Sequence, residues 1–170
     1  SQAQTKDEIK DFFWGKNDEY KSQNTVPDKY KNESAVVIYK YEDYDFHKFG
    51  KSVTFRSAYR KRVKLNDQAA VTSFSEFSYS EKLNPRYGAV IKTVIGIKII
   101  KPNETENIIN TEKEAVTVDK EKKIAVPNLE IGDIIDFYNY STETFSSTYE
   151  FGFDEVERTL GESYPILNYK

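Results

Sequence analysis

The sequence of 170 residues contains no cysteine and no methionine, and only one histidine and one tryptophan. Without cysteine there can be no disulfide framework, no thiolate metal site, no thiol nucleophile and no lipid-anchored cysteine. Histidine chemistry is nearly as restricted. His47 stands alone in Tyr44-Asp45-Phe46-His47-Lys48, beside an expected turn, and no serine sits in a Gly-x-Ser-x-Gly elbow. We read His47 as structural or exposed rather than catalytic. One histidine among scattered carboxylates is an atypical zinc site, and no EF-hand calcium loop is present, so no metal or other cofactor is expected. No apolar run approaches the roughly 18 residues of a membrane span, so no membrane insertion is expected. Acidic and basic residues are interspersed, with a formal net charge of -3, which points away from nucleic acid as a partner.

The missing initiator methionine leads to an expectation about origin. Ser1-Gln2-Ala3-Gln4 matches the tail of a secretory cleavage site whose apolar part has been removed, and export to the periplasm or the extracellular space is expected. A leftover residue of cloning is the competing reading of Ser1.

The chain does have aromatic residues in quantity. Hydrophobic residues make up only 38% of it, but 11 Phe and 13 Tyr supply much of that share, so the core should be rich in rings. At this length one compact domain is expected, with at most a terminal appendage. Thr5-Lys6-Asp7-Glu8 has the form of a capping box, followed by Ile9, Phe12 and Phe13 at helical spacing. This predicts a helix from Lys6 to Trp14 that ends at a left-handed Gly15. From 17 to 32 there is no periodicity, which predicts a linker or strap, so we divide the chain into an N-terminal helix with its connection (1–26) and a β domain (27–170).

After Ser34 the period becomes two. Strands are predicted at Ala35–Tyr41, Ser52–Leu65, Val71–Tyr79, Ala89–Ile100, Glu114–Asp119, Lys123–Val126, Ile134–Tyr140, Thr148–Phe153 and around Tyr164–Tyr169, with tight turns at 102–105 and 120–122. The fold class is therefore mainly β: an antiparallel β-sandwich with a short N-terminal helix. In the second strand Val53, Phe55, Tyr59 and Val63 share one face, while Arg56, Arg60, Arg62 and Lys64 form a basic stripe on the other. We read the stripe as a solvated face, with an anion-binding surface as the alternative. The last predicted strand stops without a polar tail, which suggests that sequence continues beyond it and that an unpaired edge could form a homodimer.

Two candidate constellations remain. Asp133 and Asp136 flank an Ile pair, and paired carboxylates could serve a glycosidase, although a Gly-Asp before an apolar strand reads more simply as a turn. Alternation also places Tyr39 with Tyr41 on one face and Tyr138 with Tyr140 on one face. If exposed, these rings could stack on sugars, and they are the candidate ligand-binding residues.

The run Val126-Pro127-Asn128-Leu129-Glu130-Ile131-Gly132-Asp133-Ile134-Ile135-Asp136-Phe137 resembles a family of bacterial domains of unknown function, the one numbered three-eight-five-seven. Pro27-Asp28-Lys29-Tyr30 with Asn32 to Val37 is similar to its opening strand, and Ile99-Ile100-Lys101-Pro102-Asn103 to a strand of it that ends in a turn. The resemblance runs from about Pro27 to Tyr169. It implies a module that typically precedes a transglutaminase-like domain in exported proteins, with any Cys-His-Asp chemistry in that following domain and no catalytic residue here. The function expected is a noncatalytic accessory module whose partner is a following domain of the same polypeptide or another protein. A carbohydrate-binding module, with a glycan or peptide as ligand, and a small carboxylate-dependent glycosidase are the alternatives.

Overall fold

The computed structural model describes residues 4–80, 90–119, 121–145 and 163–170. Helix α1 (Lys6–Trp14) opens on the expected reciprocal cap. The Glu8 amide donates to Thr5 Oγ1 at 3.2 Å and the Thr5 amide to Glu8 Oε2 at 2.9 Å. The helix ends at Gly15, but Gly15 is extended rather than left-handed (φ -73°). Close approach is what requires glycine there, because a Cβ would lie 2.2 Å from the Asp11 carbonyl oxygen.

Two antiparallel sheets follow. One contains β1 (Ala35–Phe49), β2 (Ser52–Leu65), β4 (Val90–Ile100), β5 (Glu106–Ile108) and β8 (Ile134–Phe145), in the order β1-β2-β8-β4-β5. The other contains β3 (Glu76–Ser80), β6 (Ala115–Val118) and β7 (Glu121–Ala125), in the order β3-β7-β6. Short helices α2 (Gln68–Ser73) and α3 (Thr111–Glu114) precede β3 and β6. The architecture is the expected one, a mainly β sandwich with a short N-terminal helix.

Between the sheets lies an apolar core that includes Ala35, Val37, Val63, Leu65, Ile97 and Ile99 of the large sheet and Ile124 of the small one, with Ile135 and Phe137 on the central strand. On the opposite face of the large sheet, α1 buries Ile9 and Phe13 against Ala58, Tyr138 and Tyr140. Phe12 lies at the rim, 56% exposed. The 15–26 segment straps the same face: Tyr20 stacks on Tyr39 with centroids 3.7 Å apart, and Val26 packs on Ile38, Ile100 and Ile134. The large sheet therefore has a layer on each side.

Several local readings change. The segment expected as one strand from Val71 to Tyr79 splits into α2 and β3, because Asp67 caps a helix by accepting from the Ala70 amide at 2.9 Å. Strand β1 runs eight residues past Tyr41 and pairs with β2 as far as Phe49–Ser52. Its register shifts between Val37 and Tyr39. This bulge reverses the facing of everything after it: Val37 points into the sandwich, while Tyr39 and Tyr41 lie opposite Arg62 and Arg60, on the α1 face. The turn at 102–105 forms as expected, with Glu104 at φ 66° and β5 returning along β4. The segment expected as a strand at Tyr164–Tyr169 makes only isolated parallel bridges to β1, at Val37–Ile166 and Lys40–Tyr169. Pro165, which lacks an N–H, and the β1 bulge both interrupt a regular ladder there. The strand expected at Thr148–Phe153 lies outside the described residues, as does Ala89 at the start of β4.

Candidate functional site

The basic stripe of β2 is not a solvated face. Arg60 is 3% exposed and Arg62 fully buried, and both point beneath α1 and its strap. Their counterpart is Asp136, also fully buried, which faces Arg62 across the β2–β8 ladder. Asp136 accepts from Arg60 Nε at 3.0 Å and Nη2 at 2.8 Å, from Arg62 Nη1 at 2.9 Å, and from the Trp14 indole N–H at 3.0 Å. Arg60 also clamps both oxygens of Asp18 at 2.9 Å each and donates to the Phe13 carbonyl at 2.6 Å. Arg62 donates to the Lys21 carbonyl at 3.2 Å and to the Asn24 side chain. Two arginines and two aspartates thus tie β2 and β8 to the end of α1 and to the strap, and their formal charges cancel.

Burial alone would raise the Asp136 carboxyl, but the hydrogen bonds and charges of Arg60 and Arg62 and the Trp14 N–H outweigh it and hold the group below the usual carboxylate range. Arg60 is likewise held charged: its two carboxylate partners overcome the desolvation that would favour the neutral form. A carboxylate fixed by three polar side chains and screened from solvent has neither the basicity nor the access that general acid–base work needs.

Asp133 serves a different purpose. It is 1% exposed, and its Oδ2 accepts from Lys101 Nζ and from the Glu130 amide, both at 2.8 Å. This closes the turn in which Gly132 takes φ 93°. Asp133 and Asp136 are therefore committed to separate sets of donors inside the protein, and they do not form a carboxylate pair across a cleft. His47 is exposed near the β1–β2 apex. Among the described residues no group of three or more His, Cys, Asp or Glu could hold a metal ion.

The four candidate tyrosines share the α1 face but are not an open platform. Tyr39, Tyr138 and Tyr140 are buried and Tyr41 is half-buried. Tyr138 is stacked on Phe13 at 4.5 Å, and burial pushes its hydroxyl up to about 12. Burial likewise takes Tyr39 up to about 12, although Arg60 pulls the other way. Tyr39 and Tyr41 do border a hollow of about 220 Å³ with Phe12 and Tyr20.

Two larger openings involve residues that alternation alone did not single out. One, of about 400 Å³, lies between the sheets and is lined by Tyr44, Ser57, Tyr59, Asn139 and Ser141, with Glu42 at one side. Ser57, Ser141 and Thr93 lie in register across three strands, so this row of polar residues on the inner face was encoded as the polar end of otherwise apolar strands. The other, of about 800 Å³, follows the edge of β4 between α1 and the small sheet. No helix among the described residues is long and apolar enough to cross a membrane.

No family model matches the chain, so the family resemblance rests on the motifs quoted above. No curated protein matches it. Among solved structures it is similar to a chain from Parabacteroides distasonis ATCC 8503 described as a "putative protease", at 19% identity with a TM-score of 0.47. The match covers 68% of this chain and 24% of that one, so this chain spans about a quarter of that protein's length.

Proposed function

We propose that this chain is a noncatalytic accessory module of an exported bacterial protein, one that makes interdomain or protein–protein contacts beside a transglutaminase-like domain. The observation that carries this reading is how the buried charges are used. Arg60, Arg62, Asp18 and Asp136 hold the N-terminal layer onto the sheet, and Asp133 closes a turn. What stays open is surface suited to contact. Phe46 and Phe49 are 50% and 74% exposed near the apex of the β1–β2 hairpin, and β4 has a grooved edge. The sequence motifs supply the transglutaminase association and the exported location.

Calorimetric titration of the chain with a transglutaminase-like domain tests the reading, beside acyl-transfer and glycoside-hydrolysis assays of the chain alone. Saturable binding with no turnover is the expected result. Turnover by the chain alone, or no binding to the domain, overturns it.

A second reading is supported by the hollow between the sheets, where hydroxyls, an amide and three tyrosine rings line one space of the size that takes a small ligand. This is the chemistry that binds a sugar. Titration of Asn139→Ala and Ser57→Val against a glycan panel would show lost affinity if the hollow is used.

A further inference from the structure

Strand β4 has 11 residues, yet β5 pairs only with its last three, Lys98, Ile99 and Ile100. Its register with β8 is unbroken from Val90 to Ile100, so successive β4 residues turn their backbone groups alternately toward β8 and away from it. The odd-numbered residues face away: Ile97 O accepts from the Ile109 amide at 2.9 Å, and Ile95 O from Thr111 Oγ1 at 3.1 Å. By the same parity Ile91 and Thr93 aim their N–H and C=O groups outward, and among the described residues no strand pairs with them there. Val90-Ile91-Lys92-Thr93-Val94-Ile95 is rich in β-branched residues and has no proline and no bulge. Proteins normally blunt or cover such an edge.

The Thr93-Val94-Ile95-Gly96 part of this strand lines the 800 Å³ groove, and Ile91 continues the edge just beyond it. One wall is α1, with Lys6, Lys10 and Trp14; the other is the small sheet, with Ala115 and Thr117. An ion pair between Lys6 and Glu112, both of which line the groove, links α1 to α3. We propose that the groove receives one extended, acidic peptide segment, which joins β4 as an added strand. This rests on the contact-module reading and names the surface and the partner chemistry for it.

Outward backbone groups at alternate residues, which no strand among the described residues pairs with, call for another backbone in extended form. The groove has α1 on one side and the small sheet on the other, which favours a single added strand as its occupant. Charge then selects the sequence. A strand added here alternates its side chains between the two walls. Those on the α1 side meet Lys10 of the groove and Lys92 just beyond it, neither of them ion-paired among the described residues; the acids of the groove are Asp7 and Glu112, the latter paired with Lys6. Those on the other side meet Ile95 and Ala115. The fitting segment alternates carboxylates with β-branched apolar residues.

The test is an NMR titration of the full chain with an end-blocked peptide of alternating glutamate and valine. The peptide is N-methylated along one edge so that it cannot stack on itself. Perturbation of the Ile91 and Thr93 amides and slowed hydrogen exchange there are expected. Thr93→Pro removes an outward donor and spares the β8 ladder, so it should weaken binding at least tenfold. Lys10→Glu should invert the preference toward a lysine–valine peptide, and it decides the matter if Thr93→Pro does not fold. Equal binding of a peptide methylated on both edges, or Ile91 and Thr93 amides already protected in the free chain, overturns the inference. If Thr93→Pro still binds the transglutaminase-like domain at full strength, the groove is not the contact surface and this inference alone falls. If the unaltered chain does not bind that domain, it is the contact-module reading that falls.

Discussion

The two faces of the large sheet are both buried, but by different means. Toward the small sheet, Val63, Leu65, Ile135 and Phe137 pack against Ile124 and Phe77 with no charge among them. Toward α1, one residue along each strand, Arg60, Arg62 and Asp136 form, together with Asp18 of the strap, a neutral network roofed by Trp14, Phe13 and Tyr20. The apolar face gains stability from area removed from water and tolerates sliding; the polar face is directional and fixes where the helix and strap must land. In strand β8 the residues that separate these regimes are adjacent, Ile135 and Asp136.

That adjacency makes the comparison breakable. Asp136→Ala leaves two buried guanidinium groups without their shared carboxylate and should cost about 3–5 kcal/mol in urea unfolding. Replacing Asp18, Arg60, Arg62 and Asp136 together by Asn, Met, Met and Leu, so that no buried charge is left unpaired, should restore most of that loss, while leaving α1 and the strap less fixed in hydrogen exchange. The same group sets an acid limit. Its carboxyl is depressed in the folded protein, so its contribution is complete above the unfolded value of about 3.9 and is lost as pH falls below that toward the folded one. Asp136→Asn should flatten this part of the stability–pH profile. If the profile is unchanged, the network does not carry the acid sensitivity.

Ile135→Ala tests the other face and should cost about 2–5 kcal/mol. Its loss should be independent of pH between 3 and 7, in contrast to that of Asp136. The smallest effect is expected at the rim of the polar layer. Thr5→Ala removes the α1 cap and should cost about 1 kcal/mol, seen as faster exchange in the first turn of α1 with little change in the core. A loss as large as that of Asp136→Ala would mean that the helix and the network fold as one unit.

Much of the frame could be read from residue order because it is locally encoded. Thr5 and Glu8 lie three residues apart and satisfy one another, and Pro102 and Asn103 shape a turn by their own stereochemistry. The polar layer could not be read that way. Arg60 and Arg62 alternate with apolar residues as a solvated face does, and what buries them is a strap some 40 residues away in sequence. One signal was available: a lone aspartate between Ile135 and Phe137, inside an apolar strand, demands a buried cation. The bulge at Ile38 left no such mark. Straight alternation puts Tyr39 and Tyr41 on the Val37 face, and only the pairing with β2 shows that they cross to the other. The groove at β4 depends on the shortness of β5, a property of pairing rather than of composition.

The parallel bridges from the C-terminal segment to β1 also bear on how the chain is made. The Val37 amide donates to the Pro165 carbonyl at 2.8 Å, the Lys40 amide to Asn168 at 2.9 Å, and the Asn168 side chain satisfies the bulged Ile38 carbonyl at 2.9 Å across 130 positions. During synthesis at about 5–20 residues per second, the outer side of the first strand waits roughly 6–26 s for these partners to leave the ribosome. Over that interval the nascent sandwich exposes a sticky margin along β1, which is sealed only once residues 165–170 have emerged.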